Sequence, residues 1–219
     1  MGSDANKNWY VGVSIKLADN FRTKKNIYMN SSKPDSADVS RFGVNTGFIL
    51  RRDLNNRIQF ETGLFFNNKG YKSKEYILNE YNSSPSGPYV NYYKLQDIYD
   101  FWYMDIPVKF HYRFSDERFF LSAGAGIIIN VCLSANNNGS ITPLTTNIPS
   151  SLYYYYNSEE KPSSGWSGTA EFAINYSFKK ALISLFPFYE RSFVAAGSAG
   201  VNEVFLYSYG VGINFSHRF

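Results

Sequence analysis

A strict alternation of residue types from Tyr103 to Phe114 limits what this chain can fold into. In the sequence YMDIPVKFHYRF, apolar or aromatic side chains occupy every second position, and mostly charged side chains stand between them. Because a strand sends successive side chains to opposite faces, the segment predicts a strand with one apolar and one charged face. Whether the apolar face meets a protein core or lipid decides the class of protein.

Further segments alternate in the same way, so the sequence predicts about eight strands in all. The other predicted strands are residues 8–17, 41–51, 57–71, 118–131, 166–178, 181–190 and 204–219. The segment 181–190 is the least regular, because Phe186 and Phe188 fall on the face of Ser184 and Glu190. Neither helix-period segments nor internal repeats interrupt the pattern. An all-β chain is therefore predicted.

The connections between these strands alternate strictly in length. The long polar connections are residues 18–40, 72–100, 132–165 and 191–203. The connections between them are the tight turns RDLNN, SDE and KK. Long extracellular loops that alternate with short periplasmic turns are typical of bacterial outer-membrane barrels. We expect residues 8–219 to form one barrel domain, preceded in residues 1–7 by a cloning scar or a periplasmic tail.

Hydropathy alone favours a soluble protein, since mean hydropathy is −0.32 and no apolar run approaches the roughly 18 residues of a spanning helix. Strands of a membrane barrel, however, place only every second residue in lipid and give a weak hydropathy signal. Aromatic residues make up 19% of the 219 residues. Several stand near predicted strand ends, including Trp9, the pair Trp102 and Tyr103, and Trp166. A membrane barrel carries its interfacial aromatic girdles at such positions.

Two kinds of closed barrel fit eight antiparallel strands. A soluble lipocalin-like barrel would point the apolar face inward around an apolar ligand, whereas a transmembrane barrel would point it outward into lipid. The other face is rich in Gly, Ser, Asn and charges of both signs, which suits a narrow filled lumen better than a solvated sheet. We therefore predict a closed eight-stranded antiparallel transmembrane β-barrel with both termini in the periplasm. The predicted polar network of its lumen is Arg41, Arg51, Arg57, Glu61, Asp105, Lys109, His111, Arg113, Glu171, Glu190 and Arg218.

Three stretches resemble a known family: YMDIPVKFHYRF, FFLSAGAGIIIN and the closing YSYGVGINFSHRF. The first two are similar to strands of the outer-membrane β-barrel domain family common in Bacteroidota, which includes PorT-type and OmpA-like barrels. The resemblance implies location in the bacterial outer membrane and folding by the barrel-assembly machinery. His217 stands where assembly signals of this kind often carry Tyr or Phe. The implied assembly signal is Tyr209, Val211, Ile213, Phe215 and Phe219.

Charge and the scarcity of Cys and His disfavour several function classes. The net charge is +4 and the basic residues are dispersed, so no nucleic-acid partner is predicted. The single Cys132 excludes an internal disulfide framework and a Cys-based zinc site, and we predict no metal or cofactor. His111 should lie low in the lumen and His217 at the periplasmic rim, far from any outer-leaflet substrate. An outer-leaflet lipid enzyme is thus only an alternative, and an aqueous pore needs more strands.

Tyrosines concentrate in two of the long connections. Their rings offer flat apolar area with a hydrogen-bonding tip, which suits protein or glycan partners. A strand that extends the barrel wall is the alternative for these segments. Ser36 lies in Asp35-Ser36-Ala37, which resembles an O-glycosylation sequon of Bacteroidota. The candidate loop surface comprises Tyr89, Tyr92, Tyr93, Tyr153, Tyr154, Tyr155 and Tyr156.

These features favour a non-enzymatic scaffold or binding protein. Its predicted partners are outer-membrane lipid, the barrel-assembly machinery during biogenesis, and an envelope protein complex or surface partner that the loops would bind. The alternative from a different class is a soluble lipocalin-like carrier of an apolar ligand.

Overall fold

The computed structural model of the chain describes residues 8–26, 32–33, 38–84, 87–115, 117–144, 163–195, 197–199 and 202–219. The predicted tail, residues 1–7, lies outside these ranges. The strands are β1 (Trp9–Asn26), β2 (Ser32–Lys33), β3 (Asp38–Val39), β4 (Arg41–Asp53), β5 (Ile58–Ser73), β6 (Tyr76–Ser84), β7 (Gly87–Arg113), β8 (Phe119–Pro143), β9 (Gly165–Phe178), β10 (Ala181–Ser192), β11 (Gly197–Ala199) and β12 (Asn202–Arg218). Among the described residues, none belongs to a helix that is long and apolar enough to cross a membrane.

The long strands form a closed antiparallel barrel. Hydrogen-bonded neighbours follow the order β12–β10–β9–β8–β7–β5–β4–β1. The ring closes because β1 pairs with β12 along its whole length, from Tyr10↔Arg218 to Asn26↔Asn202. Closure gives every strand of the wall two neighbours, so that its backbone groups are paired where it crosses hydrocarbon. The predicted closed eight-stranded barrel is confirmed.

The apolar face of each strand points outward. On β1, Val13 is 48% exposed and Ser14 is 1% exposed; on β7, Phe110 is 53% exposed and Lys109 is 1% exposed. A lipocalin-like carrier needs the opposite arrangement, with apolar side chains around an internal ligand. The lipocalin alternative is therefore wrong, because the side chains that would line such a cavity cover the outside of the barrel.

The two ends of the barrel differ in how the chain reverses. At one end, termed the turn end, short connections follow β4, β7 and β9 at residues 54–57, 114–118 and 179–180. At the other, termed the loop end, the strands project unequally: β7 and β8 have 27 and 25 residues, whereas β9 and β10 have 14 and 12. Since a transmembrane strand needs about 9–11 residues, β7 and β8 continue far beyond the membrane.

Three of the long connections contain more strand than the sequence indicates. The strand β1 continues to Asn26, β5 to Ser73 and β8 to Pro143, and β7 begins at Gly87. A strand in water has two solvated faces and shows no apolar alternation, yet pairing with its neighbours still satisfies its backbone N–H and C=O groups. The strand β6 pairs with β7, which pairs with β8 out to Tyr93↔Pro143. This projecting part of β6, β7 and β8 is termed the loop-end extension.

Candidate functional site: the filled lumen and the loop end

Ionisable side chains from six strands meet in the middle of the lumen. They are termed the ionic layer and comprise Lys16, Arg51, Glu61, Lys69, Asp105, Lys109, His111, Glu171 and Glu190, all of them buried. They reach this level because each stands on the inward face of β1, β4, β5, β7, β9 or β10. A charge that leaves water must find a partner, so the contacts within the layer decide whether it is stable.

Lys109 lies between two glutamates. Its Nζ is 2.8 Å from Oε2 of Glu171 and also pairs with Oε1 of Glu61. The other oxygen of Glu61 pairs with Nε of Arg51. The His111 ring stands between the same glutamates, with Nε2 3.5 Å from Glu61 Oε2 and Nδ1 3.6 Å from Glu171 Oε1. One continuous set of charges therefore joins β4, β5, β7 and β9.

A second set of contacts surrounds Glu190. The Nζ of Lys16 is 2.8 Å from Glu190 Oε1, and the Nζ of Lys69 is 3.7 Å from Glu190 Oε2. Lys69 also lies 3.0 Å from Oδ2 of Asp105. The other oxygen of Asp105 accepts a hydrogen bond of 2.6 Å from the amide of Asn130. These contacts tie β1 and β10 to β5, β7 and β8.

Two glycines of β8 make room for the ionic layer. Gly124 pairs with His111 and Gly126 pairs with Lys109 on the neighbouring β7. A Cβ atom at Gly124 would lie 2.6 Å from Nδ1 of His111, and one at Gly126 would lie 2.1 Å from the carbonyl oxygen of Val108. Larger residues at these positions would collide with the layer or its backbone, so packing explains the glycine-rich inward face.

Glu61, His111 and Glu171 also have the residue types of a metal site. Their ligand atoms lie within 4.8 Å of one another. The ammonium of Lys109, however, pairs with an oxygen of each glutamate. Since Lys109 pairs with both carboxylates, Arg51 also pairs with Glu61, and both cations would repel a divalent ion, we assign the three residues to the ionic layer.

Nearer the loop end, aromatic and aliphatic side chains fill the lumen. Tyr71 stacks on Tyr99 with ring centroids 4.4 Å apart, and the Arg22 guanidinium lies 3.9 Å from the centroid of the Tyr71 ring. This level is termed the aromatic layer and comprises Tyr71, Tyr99, Phe101, Tyr103, Val204 and Leu206, all of them buried. The aromatic layer packs the lumen on the loop side of the charges.

Asp53 organises the turn end of the lumen. Its carboxylate accepts hydrogen bonds from the Tyr10 hydroxyl at 3.1 Å, Gln59 Nε2 at 2.7 Å and Arg113 Nη2 at 2.9 Å. The guanidinium of Arg113 also lies 4.9 Å from the centroid of the buried Phe120 ring. A cavity of about 270 Å³ opens beside this cluster.

The structure brings most of the predicted lumen network together. Arg113 joins the Asp53 cluster, Arg41 is half-buried near the loop end beside Asp100, and Arg218 is half-buried at the turn end. The predicted residues that lie in the ionic layer are Arg51, Glu61, Asp105, Lys109, His111, Glu171 and Glu190.

Two predicted placements are wrong. Arg57 is exposed in the turn before β5, where its Nη1 donates to the Tyr112 hydroxyl at 3.0 Å, so it lies outside the lumen. Tyr103 is 2% exposed and belongs to the aromatic layer, whereas Trp102 is 44% exposed and faces outward as predicted. The register between β7 and β8 shifts between these two residues. The extra residue is Leu133 of β8, so the alternation of β7 is unbroken and Tyr103 shares the inward face of Asp105.

Sequence reasoning missed several inward side chains. Lys16 and Lys69 complete the ionic layer, and each stands an even number of positions from another buried polar residue of its strand, as Lys69 does from Glu61. This spacing was a signal that could have identified both. Phe186 is buried in the lumen on the face of Ser184 and Glu190, where alternation places it, and its ring covers Gly212: a Cβ at Gly212 would lie 2.4 Å from the Phe186 Cζ. The lumen is thus less polar than the sequence predicts.

The predicted loop surface is only partly described. Tyr92 is exposed on the loop-end extension, Tyr93 is buried, and Tyr89 lies on β7. Tyr153 to Tyr156 and Ser36 lie outside the described residues. The residues of the implied assembly signal all face outward and are exposed: Tyr209, Val211, Ile213, Phe215 and Phe219.

A closed barrel with an apolar outside and a charged, filled lumen is a bacterial outer-membrane barrel. The family model of the outer membrane protein beta-barrel domain matches residues 4–191. The chain therefore belongs to this family and resides in the outer membrane. The finer likeness to PorT-type barrels of Bacteroidota stays a prediction.

The chain is similar to solved structures of bacterial surface and outer-membrane proteins. The crystal structure of the outer membrane protein OprG from Pseudomonas aeruginosa matches this chain with a TM-score of 0.51 and 10% sequence identity. The match covers 97% of this chain and 96% of that chain. Neisserial surface protein A (NspA) is 13% identical, with a TM-score of 0.45, over 94% of this chain and 95% of that chain. Curated protein sequences give no match. At such low identity the likeness to OprG shows the fold alone.

Proposed function

We propose that this protein is a non-enzymatic binding protein of the outer membrane, whose loop end holds a protein of the cell envelope or an external surface. The observation that carries the proposal is the filled lumen. The ionic layer and the aromatic layer both consist of buried side chains. Since an eight-stranded barrel has only enough interior for its own side chains, recognition has to take place on the surface.

The loop-end extension supplies such a surface. Ile77, Tyr92 and Leu144 lie on it or at its edge and are exposed, although this part of the chain lies beyond the membrane. Apolar and aromatic side chains exposed to water favour partner binding. The paired strands β6, β7 and β8 also hold these side chains on a stiff support, which lowers the entropic cost of binding.

The placement of both histidines supports a non-enzymatic role. His111 is buried in the ionic layer, and His217 is exposed on the outer face near the turn end. Neither lies at the loop end, where a lipid of the outer leaflet would be reached. The first barrel strand begins at Trp9 and the last ends at Arg218, and both of these residues lie at the turn end. We infer that this end faces the periplasm and that the loop end faces outward.

Site-specific photo-crosslinking in native membranes tests the proposal. A photoreactive residue at Tyr92 should give a discrete protein adduct, because this position projects from the loop-end extension. The same residue at Phe48, on the outer face of β4, is the matched control and should give lipid adducts. Heat-dependent mobility on a gel verifies that each variant is folded. If Tyr92 gives no protein adduct and affinity purification recovers the barrel alone, the proposal fails.

A further inference from the structure

A polar cavity lies at the turn end of the lumen, beside the Asp53 cluster. Its volume is about 270 Å³, which far exceeds the roughly 15 Å³ that one water molecule needs. The buried side chains of Tyr10, Phe120 and Leu182 pack together and form its apolar part. Its rim includes residues of the turns after β4 and β7. We term this cavity the turn-end cup, and its charged lining residues are Asp53, Arg113, Glu117 and Arg218.

Two arginines reach the turn-end cup from opposite sides of the barrel. Arg113 belongs to β7 and Arg218 to β12, and these strands stand four places apart in the ring of eight. Arg113 is already paired, because its Nη2 donates to Asp53 at 2.9 Å. Arg218 is half-buried, and within the described part of the chain its guanidinium has neither an ion pair nor a hydrogen bond. Since a partly dehydrated charge favours a partner, Arg218 is available to an anion.

The two acidic residues of the turn-end cup do not neutralise Arg218. Both oxygens of the Asp53 carboxylate already accept hydrogen bonds, Oδ1 from Arg113 and Oδ2 from Tyr10. Glu117 is exposed in the turn after β7, where water screens its charge. Among the described residues of the turn-end cup, the partly buried charge that lacks a partner is therefore positive.

Amide side chains on the rim favour a polypeptide over a small ion. Asn8, Asn55 and Asn56 line the turn-end cup, and an Asn side chain offers a donor and an acceptor, as a peptide group does. The Oδ1 of Asn55 accepts from the backbone N–H groups of Arg57 and Ile58, both at 2.8 Å. Its Nδ2 has no partner among the described residues, so it can donate to an outside carbonyl. A single carboxylate would also leave most of the cavity unfilled.

We propose that the turn-end cup binds an acidic side chain of a polypeptide in the periplasm. The guanidinium of Arg218 pairs with the carboxylate through charge-assisted hydrogen bonds. Asn55 donates to a neighbouring peptide carbonyl, and the apolar part of the cup contacts the methylene groups of the ligand. The periplasmic location follows from the inferred orientation of the barrel. Because the turn-end cup and the loop-end extension lie at opposite ends of the barrel, the proposal is independent of the proposed function.

Nuclear magnetic resonance of the isotope-labelled full chain in lipid nanodiscs tests the proposal. The probe is the tripeptide acetyl-Gly-Glu-Gly-amide, and acetyl-Gly-Gln-Gly-amide is its uncharged match. We expect the Nε–Hε signal of Arg218 and the Nδ2 signals of Asn55 to shift saturably with the Glu peptide. This peptide should bind about tenfold more tightly than the Gln peptide, since a hydrogen bond to a charged group is stronger than a neutral one. Raised salt should weaken the preference.

The matched variants are Arg218→Gln and Lys179→Gln, and the Nδ2 signals of Asn55 report binding in both. Arg218→Gln should bind the two peptides about equally. Lys179→Gln should keep the preference of the wild type, because the ammonium of Lys179 lies 5.6 Å from the centroid of the exposed Phe178 ring on the outer face. Heat-dependent gel mobility verifies folding. If Arg218→Gln does not fold, Glu117→Gln is the second variant, and it should bind the Glu peptide more tightly because it removes a carboxylate from the rim.

Three results would overturn the proposal. The first is the lack of a saturable shift at Arg218 in the wild type. The second is an equal loss of preference in Arg218→Gln and Lys179→Gln. The third is acetate binding as tight as that of the Glu peptide, because the turn-end cup would then recognise a carboxylate alone and not a polypeptide.

Discussion

The ionic layer and the aromatic layer occupy neighbouring levels of one lumen but connect the wall of the barrel differently. In the ionic layer, Lys109 of β7 reaches Glu171 of β9 across the intervening β8. In the aromatic layer, Tyr71 stacks on Tyr99, which is its register partner on the neighbouring strand. Glu61 pairs with Arg51 and Lys109, its register partners on the two neighbouring strands, but other charges of the layer join strands that share no hydrogen bonds. The closest ring contact only reinforces a pair that the backbone has already made.

This difference sets how each layer responds to change. A buried charge is tolerable only while its partners remain, so the loss of one carboxylate leaves several cations unpaired. An apolar layer loses packing in proportion to the volume removed and accepts another side chain of similar volume. We therefore expect the ionic layer to require particular residues and the aromatic layer to require a particular volume.

The largest effect is expected for Glu61→Gln. This variant keeps the shape of the side chain but leaves Arg51 and Lys109 without one of their anionic partners. Breaking a buried pair in this way should lower the free energy of unfolding by about 3–5 kcal/mol. Urea unfolding in lipid vesicles, followed by tryptophan fluorescence, measures the change.

The control for Glu61→Gln removes the same charge from a water-exposed ion pair. Oε2 of Glu75 lies 2.5 Å from Nζ of Lys94, and the side chains of Glu75 and Lys94 are 52% and 43% exposed. Glu75→Gln should change the free energy of unfolding by about 0.5 kcal/mol or less, since exposed pairs contribute little. Equal losses in the two variants would show that the ionic layer is not held by its buried pairs.

The aromatic layer should respond to volume instead. Phe101 is buried within it, and Phe101→Ala should lower the free energy of unfolding by about 3 kcal/mol because it leaves a cavity. Phe101→Leu restores much of the volume and should cost about 1 kcal/mol. The same unfolding measurement applies. If Phe101→Leu lowers the free energy of unfolding as much as Phe101→Ala does, position 101 does not require a particular volume. The contrast with Glu61 then does not hold.

The sequence was sufficient to predict which faces of the strands meet lipid and which charges lie inside. Alternation is a local property, and in a closed barrel it leaves one inward and one outward face. Alternation alone therefore assigns Glu61, Lys109 and Glu171 to the lumen, where all three are buried. The glycines among the inward residues, such as Gly126 beside Lys109, correctly indicated a crowded lumen.

The pairing of charges could not be predicted. Lys69 of β5 meets Asp105 of β7 and Glu190 of β10, and these contacts depend on how far the strands are staggered around the barrel. No local pattern records that stagger. The length of β7 beyond the membrane and the register shift after Trp102 could not be predicted for the same reason, because the pairing of β7 with β8 determines both.

The smallest effect is expected at Trp102, and it tests the alternation of β7. Trp102 faces outward and Tyr103, the next residue, lies in the aromatic layer. Trp102→Leu should change the free energy of unfolding by about 0.5 kcal/mol or less, as for other surface positions. Tyr103→Leu should cost several times more, because it removes a buried ring and its packing. Trp9 and Trp166 remain as fluorescent reporters in both variants. Equal losses in the free energy of unfolding would mean that the two side chains share an environment, and the alternation of β7 at this level would be wrong.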